Sequence, residues 1–67
     1  MNQKLQKIKV NKIQCKLCGD IIESKSVHDF RSCKCGECSC DGGHEYLKRG
    51  AMQSWENVIE LSEMEDV

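Results

Sequence analysis

Six cysteines in a chain of 67 residues constrain what this sequence can fold into more than any other feature. They fall into two groups, Cys15-Lys16-Leu17-Cys18-Gly19 and, with 14 residues between Cys18 and Cys33, Cys33-Lys34-Cys35-Gly36-Glu37-Cys38-Ser39-Cys40. A structural zinc ion takes four thiolates in a tetrahedron at about 2.3 Å, and a two-residue spacer followed by glycine lets one tight turn offer two sulfurs to the same ion. The first group has that form. The second supplies the remaining thiolates across a gap suited to a short hairpin. The spacing predicts a knuckle in each group and one structural zinc held between them.

A chain this short buries only roughly 60% of the surface that its unfolded form exposes, so a staple beyond the apolar core is expected. An even number of cysteines also permits disulfides. The start of the chain, Met1-Asn2-Gln3-Lys4-Leu5-Gln6-Lys7, has no apolar segment of the secretory kind, so reduced thiols and a cytoplasmic location are the expectation. No stretch approaches the roughly 20 apolar residues of a membrane span. The reading is one soluble domain over residues 1–67, divided into a basic segment at 1–14, a cysteine-bearing body at 15–49 and an acidic segment at 50–67.

Net charge is −1, but its components are sorted: Lys4, Lys7, Lys9, Lys12 and Lys16 precede Cys18, while Glu56, Glu60, Glu63, Glu65 and Asp66 crowd the end. Two solvated faces that attract each other account for this without a partner. A nucleic-acid arm or an acidic interaction tail is the functional alternative.

Ile8 and Val10 alternate with Lys7, Lys9 and Asn11, the period of a half-buried strand leading into Cys15. Ile21 to Ser24 reads as a second strand and Val27 to Ser32 as its returning partner, with Val27 or Phe30 placed to cover the metal. Glu37 to Cys40 is a third strand, Asp41-Gly42-Gly43 a turn, and His44 to Arg49 a fourth. Together these predict a small antiparallel meander. Beyond Gly50, Met52, Trp55, Ile59 and Ser62 lie at helical spacing, which predicts a short amphipathic helix, although Asn57 to Leu61 also suits a strand.

Six thiols exceed the four that one zinc needs. Cys33 and Cys35 flank a turn with glycine directly after, whereas Cys38 and Cys40 sit two apart on a strand and point to one face. Spacing favours Cys33 and Cys35, and rates the two-residue knuckle of Cys35 and Cys38 nearly as high, which leaves Cys38 as an alternative ligand. The run Cys-x-x-Cys-Gly-Asp, Ile22-Glu23-Ser24-Lys25, His28-Asp29-Phe30, Cys33-x-Cys35-Gly36, Asp41-Gly42-Gly43 and Tyr46-Leu47-Lys48-Arg49 resembles a family of short uncharacterised zinc-ribbon-like proteins encoded by phages, prophages and bacteria. The resemblance covers about Cys15 to Arg49 and implies a small, mostly β zinc-ribbon-like fold: an antiparallel meander with two knuckles and a short C-terminal helix or strand. It implies Cys15, Cys18, Cys33 and Cys35 as the ligands, because aliphatic residues usually stand at the positions of Cys38 and Cys40. It brings no activity.

Catalytic chemistry finds little support. His28 and Asp29 would point to opposite faces of a strand and cannot form a dyad, which leaves His28 a spare ligand or a hydrogen-bond donor near the metal. His44 lies beside a glycine turn, where it is solvated. Four thiolates close a zinc site against water, and no strand–helix framework activates Cys15 and Cys18 as a redox pair. The expectation is therefore no enzyme but a binding module with a protein partner, nucleic acid being the alternative through Lys12, Lys16, Arg31 and Lys34. Three aromatics, Phe30, Tyr46 and Trp55, make a poor stacking surface for single strands. A small-molecule ligand is not expected. Met52, Trp55 and Ile59 form either an interface anchor or core; core is the first expectation for Trp55, which leaves Tyr46 and Arg49 on the exposed face of the meander as further partner-binding candidates.

Overall fold

The structure is a computed structural model and describes residues 6–66; Lys4 of the basic run lies outside them. In chain order the elements are β1 (Gln6–Cys15), β2 (Ile21–Ser24), β3 (Arg31–Ser32), β4 (Cys38–Asp41), β5 (Lys48–Ala51), a 3₁₀ turn (Trp55–Asn57), β6 (Val58–Glu60) and β7 (Glu63–Asp66). The architecture is mostly β and antiparallel, with no α-helix among the described residues. In particular, no helix there is long and apolar enough to cross a membrane.

The predicted single meander is replaced by two sheets. The sheet of β3, β4 and β5 keeps sequence order throughout. The other sheet is built on β1, which takes β2 along Asn11–Gln14, β6 along Ile13–Cys15 and β7 along Gln6–Val10. Between β6 and β7 the chain stays on β1: Leu61 N–H donates to the Lys12 carbonyl at 3.0 Å, and Lys12 N–H donates to Ser62 Oγ at 2.9 Å. The acidic end of the chain thus lies along the basic start, with Lys7 directly opposite Glu65. Opposite charges at facing positions contribute roughly 0.2–1 kcal/mol, which gives this pair a role within the fold.

A β-bulge explains why the simple alternation in β1 misled. Ile8 faces Met64 and Val10 faces Glu63, so Lys9 is an extra residue that reverses the inward side of the strand. Ile8 is buried before the bulge; after it the buried residues are Asn11, Ile13 and Cys15. Asn11, predicted to face solvent, is fully buried.

Two further expectations fail for local reasons. Val27 to Ser32 does not return against β2, because Asp29 closes a turn: its backbone N–H donates to the Ser26 carbonyl at 3.0 Å, and its carboxylate accepts Lys25 N–H at 2.9 Å. Ser24 Oγ donates to the Asp29 carbonyl at 2.7 Å, and His28 takes a positive φ of 70° in this turn. The strand that remains, β3, pairs with β4 instead, and Val27 and Phe30 are exposed rather than covering the metal site. The predicted C-terminal helix is also absent. One 3₁₀ turn leads into β6, as the alternative strand reading of Asn57 to Leu61 anticipated, because β1 offers an edge that backbone groups there can pair with.

The core gathers Ile13, Cys15, Cys33, Cys38 and Cys40, with Ile22 and Val58 packed against it, where β4 lies against β1 and β2. Arg49 on β5 crosses to the other sheet: Nε and Nη2 donate to the two Glu60 carboxylate oxygens at 2.8 and 2.7 Å, and Nη1 donates to Asn11 Oδ1 at 2.8 Å. The charged hydrogen bond from Arg49 is the largest influence on Glu60 and holds its carboxyl below the usual range. A carboxyl depressed on folding stabilises the fold above its unfolded pKa of about 4.3, and that contribution disappears as pH falls through the folded value. A carboxyl-carbon NMR titration is therefore expected to place the Glu60 midpoint below about 4.3. A midpoint at or above that figure would show the pair to be electrostatically idle.

Candidate metal centre

Two similar turns carry the sulfurs. Cys15 ends β1, and its carbonyl accepts Gly19 N–H at 2.8 Å while its own N–H donates to the Asp20 carbonyl at 2.9 Å. In the second turn Cys33 N–H donates to the Cys38 carbonyl at 2.9 Å, and Gly36 N–H donates to the Cys33 carbonyl at 3.0 Å. Gly19 and Gly36 adopt φ of 76° and 81°, left-handed values that a side chain disfavours, which is why each knuckle ends in glycine. Asp20 ties the turns together by accepting Lys34 N–H on Oδ2 at 3.0 Å.

The result brings the sulfurs of Cys15, Cys18, Cys33 and Cys35 to within 4.8 Å of one another. Cys35 Sγ lies 3.6 Å from both Cys15 Sγ and Cys33 Sγ. Four thiolates placed tetrahedrally at about 2.3 Å from one ion stand roughly 3.8 Å apart, so the cluster has the dimensions of a metal site. Cys15 and Cys33 form its buried side, Cys18 and Cys35 its exposed side.

Backbone donors converge on these sulfurs. Cys18 Sγ receives the N–H groups of Cys35 and then Asp20, which lower its pKa. Cys33 is pushed up by burial, but the Cys38 N–H, 3.3 Å from its sulfur, and the neighbouring thiols outweigh that and bring it to about 6. Cys35 accepts the Glu37 N–H, which favours its thiolate, yet desolvation and its three thiol neighbours carry it up to about 12. A divalent cation held by these sulfurs would take the place of their protons.

Cys38 and Cys40 stand outside this cluster. Burial first, and then the Cys15 thiol, raise Cys38 to about 12; burial also raises Cys40. Cys38 Sγ donates to the Asn57 carbonyl at 3.2 Å and Cys40 Sγ to the Ile22 carbonyl at 3.9 Å. Both behave as small buried side chains with weak donors.

Comparison with known proteins adds a family. The chain belongs to DUF7695, a domain of unknown function. Its family model matches residues 7–51, more than half of the chain, from within β1 to the end of β5, and the match contains all six cysteines. No curated protein matches the chain, and neither does any solved structure.

In this DUF7695 chain the other candidates scatter. His28 sits exposed in the Asp29 turn, and the His44 ring nitrogen Nδ1 lies 2.8 Å from the Ile8 carbonyl oxygen, so neither joins the cluster. Arg31 is paired with Asp29 at 2.9 Å. Tyr46 is exposed, but the Arg49 side chain is only 12% exposed and spends its donors on Glu60, Asn11, Lys48 and Ser62. Trp55, expected in the core, is instead 65% exposed, and Met52 is 81% exposed. Glu37 and Asn57, which the sequence reading passed over, connect these residues to the cluster. The available signal was the position of Glu37 between Gly36 and Cys38, inside a knuckle where a solvated charge has little room.

Proposed function

We propose that the chain is a zinc-stabilised, non-enzymatic binding module of zinc-ribbon type whose partner is a protein. The observation that supports this is the four-sulfur cluster: it offers four thiolates from the chain itself, the number that closes a structural zinc site against water and substrate. Zinc is the ion that a tetrahedral, all-thiolate set suits best among common intracellular metals without redox chemistry. The phage or prophage origin implied by the resemblance belongs to the same reading, with a host protein as partner.

Exposed Met52 and Trp55 beside the knuckles supply the apolar anchor that such a module needs, tryptophan being enriched among residues that dominate interface energy. Trp55→Ala is expected to abolish capture of the partner from a bacterial lysate while zinc content stays at one ion per chain. Stability should change by less than about 0.5 kcal/mol, the range of surface substitutions. Capture that survives Trp55→Ala but falls steeply with salt, and with charge reversal at Lys12 and Lys16, would transfer the function to nucleic acid.

A further inference from the structure

Glu37 is 3% exposed, an unusual place for a carboxylate. It is met by neutral donors from one short segment: Gln53 N–H at 3.1 and 3.0 Å to its two oxygens, Ser54 N–H at 3.0 Å and Asn57 Nδ2 at 2.8 Å. Its backbone is committed as well. The Glu37 carbonyl accepts Met52 N–H at 3.0 Å, and the Glu37 N–H donates to the sulfur of Cys35. One residue of the second knuckle therefore touches a sulfur of the cluster with its N–H and holds the segment 52–57 with its other polar groups.

The first knuckle grips the same segment from the other end, since Lys16 N–H donates to the Asn57 carbonyl at 2.8 Å. The segment has little order of its own. Its 3₁₀ turn spans three residues, none of them buried, and a single turn is too short to persist without outside contacts. Trp55 and Met52 project from it into solvent.

We propose that Glu37 is the positioning residue through which the metal centre sets the conformation of segment 52–57, and with it the face that presents Trp55. The inference rests on the metal reading above and adds a route from metal to recognition surface. A carboxylate suits this place because it only accepts hydrogen bonds, and three donors converge on it. Glutamine has the same size but turns an NH₂ group toward donors. Glu37→Gln is therefore expected to retain the knuckle and release the segment.

The experiment uses the full chain under reducing conditions, loaded with Zn²⁺ or with the larger Cd²⁺. In the wild-type protein the exchange of Zn²⁺ for Cd²⁺ is expected to shift the amide NMR signals of Gln53, Ser54 and Trp55 as well as those of the knuckles. In Glu37→Gln the metal stoichiometry by native mass spectrometry should be unchanged. The Gln53 and Ser54 amides should exchange with solvent at least tenfold faster and lose their metal-dependent shifts, while Asn57 and Val58, held from the first knuckle, keep theirs. As the chain has a single tryptophan, quenching of its fluorescence by acrylamide gives a second readout, expected to rise in the variant. Shifts confined to the knuckles in the wild-type protein would overturn the proposal while leaving the metal reading intact, and that measurement holds even if Glu37→Gln does not fold. Unchanged amide exchange in a folded Glu37→Gln protein would overturn it too. A wild-type protein that takes up neither ion would remove the metal reading, and the coupling with it.

Discussion

Serine in place of any one of Cys15, Cys18, Cys33 or Cys35 is expected to leave the protein without its metal and without its fold. A 67-residue chain of ordinary stability has roughly 3–10 kcal/mol to lose, at about 0.05–0.15 kcal/mol per residue. Structural zinc contributes about 10 kcal/mol or more to small domains, which is as large as the whole margin. The core here is small, and three of its five buried members, Cys15, Cys33 and Cys38, belong to or adjoin the knuckles. Removing the ion takes away the constraint that holds them. A chelator should therefore collapse the amide NMR dispersion of the wild-type protein, and adding zinc back should restore it. Because binding expels thiol protons, metal retention should weaken as pH falls. Cys38→Ser and Cys40→Ser provide the control, since both sulfurs lie outside the cluster, and each should keep one ion per chain. Metal loss in Cys38→Ser with retention in Cys33→Ser would reassign the second pair. A chelated protein that keeps its dispersed spectrum would show that packing alone suffices.

Cysteine spacing made the candidate centre legible because ligand geometry is local: each knuckle needs a turn, a glycine and two sulfurs within a few residues. Gly19 and Gly36, at positive φ, follow the turns that the sequence suggested. The Asp41-Gly42-Gly43 turn was legible for the same reason, and Glu45 N–H closes it onto the Gly42 carbonyl at 2.9 Å. What failed depended on distant partners. Met52, Trp55, Ile59 and Ser62 do repeat at helical spacing, but β1 had a free edge and Glu37 captured the preceding residues, and neither fact is visible within a local window. The bulge at Lys9 is of the same kind. Pairing between β1 and β7 joins residues almost a whole chain apart, so the reversal of the inward face cannot be read from the alternation of Lys7 to Asn11. Trp55 was expected to be core because large aromatics usually are; buried thiols fill that space instead.

The inward turn of β1 sets up the second large effect. Asn11→Ala is expected to cost about 3 kcal/mol or more, a large share of the margin, because the side chain is fully buried and serves four partners at once. Asn11 Nδ2 shares its two hydrogens among the carbonyls of Asp41 at 3.1 Å, Gly43 at 2.9 Å and Tyr46 at 3.2 Å, and so holds the loop after β4 against β1. Its Oδ1 accepts Arg49 Nη1 at 2.8 Å, which joins β5 to the same point. Among the described residues no buried side-chain nitrogen or oxygen lacks a hydrogen-bond partner, so the network has no slack. Alanine would leave three carbonyls short of a donor and Arg49 short of an acceptor, each unsatisfied group costing about 1–3 kcal/mol before relaxation. Asn11→Asp tests the loop contacts and the arginine contact separately. It keeps the shape and strengthens the bond to Arg49, but it aims a carboxylate oxygen at three carbonyl oxygens. Urea unfolding of the zinc-loaded proteins at one fixed zinc concentration should therefore find the Asn11→Asp protein no more stable than the Asn11→Ala protein. An aspartate variant as stable as the wild-type protein would mean that the link to Arg49, and not the grip on the loop, is what Asn11 supplies.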